Sequence, residues 1–506
     1  MKKNFFFMAA LLVAMTGCNK ELQQENPADD GGKVYMQFSV NMLTTRTGTD
    51  ATGTTNSDAT PDSEVGFDYE NAISKVDIVL VNGDTRVVAN DVKPLKAATN
   101  TYVASFNTLD LKPSTSYDVY IYANCDEAGV DATSTATVAQ ITANNQFWMT
   151  NAYKPTKYPI PADLSLYTVP QNPLDLGAHF VERVMARFDY MPKGPYTIGT
   201  GATVTLTEAA LINQSKAFYM LRRVSADGTN KNWEIGGSET KTNFVVDTDY
   251  AAKASGYAAG LASNFDAHLT NPASWTFKSI KAADLKEKDN WTGTNDGTTG
   301  TGQGHDNALN EYYKWQYAKE NTIPNATAQE HGISTGVVFK GEITGDAVTN
   351  AGGEMIFVFE NVLYGKWSAV QAAAAAANAP ATLVAAVNKI KAIASPTAAD
   401  YAAAGFTGYN KDTDGKYYAY YYYWNRRNDN GDNIKMGTME FAVVRNNVYK
   451  LCVDKIAKFG HPDPTDPENP DPDPVDPEDP NEELNYYFTV TVKVLPWVVR
   501  VNHIEF

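Results

Sequence analysis

Two segments, one near each end of the chain, alternate apolar and polar residues in the way that is typical of a half-buried β-strand. In the first, residues 33–43, the apolar positions are Val34, Met36, Phe38, Val40 and Met42. In the second, residues 484–506, the apolar positions are Phe488, Val490, Val492 and Val494. Alternation of this kind is common, but it gives both segments the pattern needed to close the same slot in a β-sheet.

The second of these segments follows a linker whose composition cannot support a core. Residues 461–483 contain eight prolines and ten acidic residues. Such a segment favours an extended polyproline II conformation. At about 3.1 Å per residue it reaches roughly 70 Å. We therefore expect the linker to hold the terminal strand away from the body, where the strand can pair with a sheet in another molecule.

Short strand patterns recur through the rest of the chain. Residues 73–81 alternate and end at the turn Asn82-Gly83, which is a hairpin signal. Residues 417–424 contain six tyrosines and one tryptophan. We interpret them as a strand whose alternate rings fill a core, and an exposed face that stacks sugars is the alternative. The pattern predicts an all-β protein of antiparallel sandwiches rather than parallel βαβ units.

Minor helical insertions interrupt this pattern in the second half of the chain. Residues 372–377 have high helix propensity, and residues 383–394 have a candidate N-cap at Thr382. We place a boundary between two globular domains near Gly177. The predicted segments are a lipoprotein signal peptide at 1–18, a tether and first strand at 19–46, an N-terminal β-sandwich domain at 47–178, a C-terminal β-sandwich domain with insertions at 179–460, the acidic linker at 461–483 and a donor strand at 484–506.

The start of the chain has the features of an export signal. Lys2 and Lys3 precede an apolar run at 5–13, and small residues follow. Met15-Thr16-Gly17-Cys18 is similar to a bacterial lipobox, with Met15 where leucine is more usual. We expect Cys18 to be acylated and to hold the precursor in the outer membrane. An ordinary signal peptide that ends near a chance cysteine is the alternative.

A polar loop follows the first strand. Residues 44–63 are rich in Thr, Gly, Asp and Asn, and Arg46 lies at their start. Exposed loops of this composition are preferred sites of proteolytic nicking. A surface arginine with no role is the alternative interpretation.

Charge and residue types exclude several function classes. The net charge is −17, of which the linker carries ten negative charges, and an acidic chain argues against a nucleic-acid partner. The six histidines show no two-His metal spacing, and no Cys-x-x-Cys pair, nucleophile elbow or phosphate-binding lysine motif occurs. We therefore expect no catalytic, cofactor-binding or metal site and no enzyme. Cys125 and Cys452 are equally compatible with one disulfide and with two buried thiols.

Several sequence blocks together resemble the Bacteroidales type V pilins, or fimbrillins, in particular the shaft subunits of the short (minor) fimbriae. The most specific block is VVRNNVY at 443–449, followed by the Asp/Pro-rich linker and by VKVLPW at 492–497. The lipobox, the first strand with Arg46, residues 64–76 and residues 181–187 occur in the matching order. The resemblance covers both ends of the chain closely and the middle loosely.

The resemblance implies a definite architecture and assembly route. It implies two tandem transthyretin-like sandwich domains and a tethered C-terminal donor strand. An arginine-directed surface protease would cut between Arg46 and Thr47 and remove the lipid with the first strand. The strand thus displaced contains Val34, Met36, Phe38, Val40 and Met42, and the donor strand of a neighbouring copy contains Phe488, Val490, Val492, Val494 and Trp497.

The implied function is that of a structural shaft subunit in a cell-surface fimbria that supports adhesion and biofilm formation. The implied partners are further copies of the chain, accessory anchor and tip pilins, and host or bacterial surface ligands. Two alternatives are an accessory or tip pilin and a non-polymerising surface lipoprotein that binds glycans through residues 417–424.

Overall fold

The computed structural model describes residues 33–42, 66–108, 110–155, 157–225, 231–236, 244–288, 312–323, 329–427, 439–464, 476–481, 490–493 and 498–505. For the last two ranges it describes the backbone. Strands dominate these residues and the helices are short. The all-β sandwich class predicted from the sequence is confirmed.

Eleven strands occupy the first part of the chain. They are β1 (Val34–Met42), β2 (Val76–Asn82), β3 (Thr85–Val92), β4 (Leu95–Ala98), β5 (Thr101–Thr108), β6 (Ser116–Ala123), β7 (Thr133–Ser134), β8 (Met149–Asn151), β9 (Lys157–Pro159), β10 (Leu174–Arg183) and β11 (Met185–Met191).

The remaining strands include several very short ones. They are β12 (Tyr196–Ile198), β13 (Ala202–Ile212), β14 (Gln214–Ser215), β15 (Phe218–Tyr219), β16 (Arg223–Ser225), β17 (Trp233–Ile235), β18 (Phe244–Val246), β19 (Phe265–Asp266), β20 (Lys278–Ser279), β21 (Tyr313–Lys319), β22 (Gly336–Gly345), β23 (Ile356–Phe359), β24 (Val362–Tyr364), β25 (Phe406–Tyr409), β26 (Tyr417–Trp424), β27 (Asn447–Lys455), β28 (Val490–Lys493) and β29 (Val498–Glu505).

Short helices connect strands, and some of them form one insertion. The α-helices are α1 (Val138–Ile141), α2 (Tyr250–Lys253), α3 (Asp346–Thr349), α4 (Trp367–Ala375), α5 (Ala381–Lys391) and α6 (Ala398–Ala403), and short 3-10 helices lie at Asp68–Glu70, Ala143–Asn145, Ser165–Tyr167, Ala259–Asn264 and Pro272–Ser274.

The first sheet has the strand order β3-β2-β6-β8-β10-β1-β5-β4, with β9 paired to β6. All neighbours are antiparallel except β1 and β10, which run parallel. Strand β3 contacts β5 although the two are far apart in this order. The sheet therefore curls over itself around one apolar core, to which strands from both of its halves contribute.

Two further sheets build the second sandwich. Their orders are β21-β11-β27-β29-β28 and β12-β13-β22-β26, with β20 paired to β13. Tyr190 of β11 meets Phe339 of β22 across the gap, with 5.9 Å between ring centroids. Residues of both sheets share a single apolar core.

One extended stretch of chain belongs to both sandwiches. Strand β10 ends at Arg183 and β11 begins at Met185. Gly177, near which we predict the domain boundary, lies inside β10, where its φ of +84° accompanies a bulge opposite β1. Along this stretch the side chains up to Met185 belong to the first core and those from Ala186 onward belong to the second. The boundary itself stays a prediction.

Local sequence signals explain several elements. The predicted hairpin at Asn82-Gly83 joins β2 to β3, with Gly83 at a φ of +54°. The helical insertion forms between β22 and β26 around its own apolar core. The predicted N-cap at Thr382 is wrong, because Pro380 takes that position and the Thr382 hydroxyl instead donates to Glu360 at 3.2 Å.

Candidate functional site

Strand β1 lies in the interior of the first sheet. It pairs antiparallel with β5 from Val34 opposite Thr108 to Asn41 opposite Thr101, and parallel with β10 on its other side. The predicted alternation is present, because Val34, Met36, Phe38, Val40 and Met42 are buried and the residues between them are half-buried. The strand is thus held along both edges and on one face.

The buried face of β1 packs against its neighbours in the curled sheet. Phe38 makes edge-on contacts with Phe106 at 6.1 Å and with His179 at 6.0 Å between ring centroids. Burial lowers the pKa of His179, so the ring beside Phe38 is neutral near pH 7. Five buried apolar side chains at about 1.5–3 kcal/mol each contribute roughly 8–15 kcal/mol before entropy costs. A sheet without β1 would have an apolar slot bordered by unpaired backbone groups.

The terminal segment forms a hairpin on the second sandwich. Strand β28 pairs antiparallel with β29, and β29 pairs parallel with β27 from Asn447 opposite Val498 onward. The hairpin lies at the edge of its sheet. Val490 and Val492 lie in β28, whereas Phe488, Val494 and Trp497 lie outside the described residues. The segment is docked on its own chain, and the expected separation from the body is not what the structure shows.

Both described ends of the acidic linker also contact the second sandwich. The backbone of His461 exchanges two 2.8 Å hydrogen bonds with Tyr420. Farther along, the Gly332 amide donates to the Pro477 carbonyl at 2.7 Å, and the Asn481 amide donates to the Gln329 carbonyl at 3.2 Å. Proline-rich chain keeps its carbonyl acceptors, which explains how a segment with this composition binds a loop.

The sequence blocks at 64–76, 181–187 and 443–449 meet at a buried polar cluster between the two cores. We call it the junction; its first members are Glu70, Asn71, Arg183, Arg187 and Asn446, all at most 6% exposed. Arg183 donates to the Glu70 carbonyl at 2.8 Å, to the Asn446 side chain at 3.0 Å and to the Asn71 side chain. One side chain thus holds together all three blocks.

Arg187 extends the junction into the second sandwich. Its guanidinium pairs with Glu70 at 2.9 Å and with Asp189 at 2.7 Å, and Lys450 reaches Asp189 at 3.1 Å. Burial alone would raise the pKa of Asp189, but Arg187 and Lys450 outweigh it and the pKa is lowered. Tyr317 completes the cluster by donating to Glu70 at 2.6 Å.

Two further buried pairs surround the junction. Arg222 contacts Glu182 at 2.8 Å, and Arg445 contacts Glu320 at 3.0 Å. The sequence pattern alone does not predict these buried pairs. The available signal was charge inside an apolar run, since Arg183, Arg187 and Asp189 interrupt residues that are otherwise suited to a core.

The remaining predicted sites are placed as follows. Cys125 and Cys452 are free, buried thiols, and burial raises the pKa of both. Cys18, Arg46 and Thr47 lie outside the described residues. Within the described ranges, no group of three or more His, Cys, Asp or Glu side chains has an arrangement that could hold a metal ion.

Strand β26 coincides with the aromatic run and is covered on both faces. Tyr417, Tyr421 and Tyr423 enter the main core of the second sandwich. Tyr422 and Trp424 enter a smaller core with Trp275 on the opposite face. The rings therefore form structural packing on each side of the sheet, and those of Tyr417, Tyr418, Tyr421, Tyr422, Tyr423 and Trp424 are at most 9% exposed.

No helix in the described part of the chain combines the length and the apolar character needed to cross a membrane. A search of curated proteins found no match. Among solved structures, a Bacteroides eggerthii DSM 20697 protein proposed to act in cell adhesion has 10% identity and a TM-score of 0.25, covering 64% of this chain and 78% of that one. A proposed adhesin from Bacteroides ovatus has 8% identity and a TM-score of 0.19, covering 42% of this chain and 62% of that one.

A family model gives the informative comparison. Residues 415–503 match the C-terminal domain of fimbrillin, described as major fimbrial subunit protein type IV. The matched region contains β26, β27, the acidic linker and the terminal hairpin up to residue 503. Over these residues the chain is similar to a fimbrillin C-terminal domain.

Proposed function

We propose that the protein is a shaft subunit of a cell-surface fimbria that assembles by donor-strand exchange. The precursor is exported as a lipoprotein acylated at Cys18 and is cut between Arg46 and Thr47. The observation that supports this most directly is the place of β1, an interior strand whose whole apolar face is buried and which precedes the cut.

The cut turns β1 into a strand held only by non-covalent contacts. The chain after the cut is retained separately, because Glu70 and Asn71 are bound by Arg183 and Arg187 in the junction. Loss of β1 then opens a slot between β5 and β10 without releasing Glu70 and Asn71 from the junction. Exposed edges and apolar surface in that slot favour a replacement strand.

The terminal segment has the alternation to serve as that replacement. Its four apolar positions, Phe488, Val490, Val492 and Val494, match the pattern of the β1 face. Burying four such side chains contributes roughly 6–12 kcal/mol before entropy costs. Slot and donor belong to different sandwiches, so the contact is head-to-tail and propagates into an open filament.

The edge position of the terminal hairpin is compatible with this role. An edge strand is released by breaking one ladder, whereas an interior strand must break two. Docking on β27 gives the unassembled subunit a place to keep its donor strand. In the fibre the donor strand β28 would leave β29 for the slot of a neighbour.

N-terminal sequencing of surface fibres tests the proposal. We expect the chain in fibres to start at Thr47, and an Arg46→Ala precursor to stay on the cell as full-length monomer. The matched control is Arg86→Ala, which alters an exposed arginine of β3 and should process normally. Fibres whose subunits begin at Cys18 would show that β1 is not removed.

A further inference from the structure

The loop at 329–334 contacts an acidic, proline-containing segment of the same chain that begins with a turn, in which the Asp479 amide donates to the Asp476 carbonyl at 3.1 Å. We call this loop the linker site; its ligand is residues 476–481 of the same chain. The His331 amide donates to the Asp479 carbonyl at 3.1 Å and the Gly332 amide donates to the Pro477 carbonyl at 2.7 Å. The Asn481 amide returns a bond to the Gln329 carbonyl at 3.2 Å.

Side chains add selectivity to this backbone pairing. Asn481 is 1% exposed and donates to the Ser334 hydroxyl. The His331 ring lies 3.1 Å from the Asp476 carbonyl and stacks on Trp424 with 4.6 Å between centroids. The site thus fixes the first and the last residue of the segment.

Two features explain why this site takes a segment of this composition. A Cβ on Gly332 would collide with the Tyr257 ring and would lie 2.9 Å from the Pro477 carbonyl oxygen, so the glycine permits the close approach of both. Asp476, Glu478 and Pro480 are exposed, so the carboxylates of Asp476 and Glu478 stay in water while the loop binds the backbone carbonyl groups of the segment. Proline residues in the segment do not weaken this pairing, because most of the N–H groups that donate the hydrogen bonds belong to the loop.

We propose that the linker site stays occupied after assembly, so that the arm that reaches a neighbouring copy starts at residue 482 and not at residue 461. This inference rests on the proposed donor-strand exchange. Residues 482–487 separate the site from Phe488, the first apolar position of the donor strand, and the seven Cα–Cα steps from Asn481 to Phe488 span at most about 25 Å. The slot of the neighbour must therefore begin within about 25 Å of Asn481, less than half of the reach expected for the whole linker.

Amide hydrogen exchange on the full chain tests occupancy without any substitution. We expect the amides of His331, Gly332 and Asn481 to be protected in the monomer and equally in fibres. Exchange at the rate of unstructured peptide in the monomer would show that the linker does not bind. Protection in the monomer that disappears in fibres would show that the segment is released on assembly. Either result overturns the proposal.

A cross-link tests whether release is needed. In the Ser334→Cys, Asn481→Cys double variant, oxidation should join two side chains that touch, while buried Cys125 and Cys452 stay unreacted. We expect the oxidised variant to form fibres as well as the reduced one, with Ser334→Cys alone as control. Assembly only after reduction, or failure of the bond to form, would overturn the proposal.

The two experiments separate this inference from the function on which it rests. If the unsubstituted chain forms no fibres after cleavage, donor-strand exchange fails, and the proposed start of the arm fails with it. Amide hydrogen exchange in the monomer then still decides whether 329–334 binds the linker. If fibres form but only the cross-linked variant is blocked, donor-strand exchange stands, and the proposal that the linker site stays occupied after assembly is wrong.

Discussion

Strand β1 and the terminal hairpin have similar sequence patterns and opposite positions. Strand β1 is paired on both edges inside a sheet, whereas β28 and β29 close the edge of another sheet. Alternation therefore specifies which face of a strand is buried but not how many neighbours it has. The difference matters for the proposed assembly, because the interior strand is costly to lose and the edge hairpin is easier to move.

Removing residues 484–506 should have the largest effect on this comparison. The hairpin is at an edge, so we expect the truncated chain to fold around both cores, while its slot stays empty after cleavage. Electron microscopy should show monomers and no fibres, and circular dichroism should show the β-spectrum of the full chain. Fibres in normal amount from the truncated chain would refute donation.

A charge at one position or the next tests which face of the donor is buried. We expect Val492→Asp to block assembly, because an unpaired buried charge costs several kcal/mol, or more than about a hundredfold in binding. Lys493→Asp is the matched control on the opposite face and should assemble. Equal yields of fibres from the two variants would mean that the facing assignment is wrong.

Substitution in β1 should affect the precursor and spare the fibre. Phe38→Ala should lower the free energy of unfolding of the precursor by about 3–5 kcal/mol in urea titrations. Gln37→Ala, on the half-buried face, should cost less than about 1 kcal/mol. After cleavage, fibres from both variants should be equally stable, and a persistent loss in Phe38→Ala fibres would show that β1 is retained.

The contribution of the junction to stability can be measured against that of an exposed ion pair. Arg187→Met removes the guanidinium that pairs with the buried carboxylates of Glu70 and Asp189. We expect a loss of about 3–5 kcal/mol in unfolding free energy. Lys154→Met removes an ion pair whose partners, Lys154 and Glu234, are 57% and 54% exposed, and should cost less than about 1 kcal/mol. Similar costs for both variants would contradict a stabilising junction.

Acid should weaken the packing of His331, the residue that binds the start of the docked linker. Burial lowers the pKa of His331 to about 3, below its ordinary value of about 6.5. Between these values the unfolded chain binds a proton that the folded chain does not, so stability falls as pH falls. We expect His331 to contribute a loss of about 2 kcal/mol from pH 7 to pH 5, measured by urea titration as the difference between the unsubstituted chain and the flatter profile of His331→Gln. Profiles that coincide would contradict this role of His331.

Strong local signals predicted many elements correctly. The predicted strand at 33–43 is β1 at Val34–Met42, and the aromatic run at 417–424 is β26. The hairpin at Asn82-Gly83 also followed from its turn residues. These elements depend on neighbouring residues in the sequence, and so a sequence pattern is enough to find them.

Features that join distant segments could not be predicted in this way. The parallel pairing of β1 with β10 and the ion pair between Arg187 and Glu70 depend on packing between residues far apart in the chain. The docking of 476–481 was missed because composition reports the lack of a core but not the carbonyl acceptors that a loop can bind. The second face of β26 is covered by Trp275 and Phe441, which no alternation within β26 reveals.

The near-continuous course of β10 into β11 has a mechanical consequence. A single residue, Val184, separates two strands that are hydrogen-bonded within different sheets. A force along this stretch acts in shear on the hydrogen bonds between β10 and β1, or its proposed replacement, and on those between β11 and β27. Many hydrogen bonds must therefore break at once. Tension along a row of subunits would be carried through the backbone of each one rather than across a soft hinge.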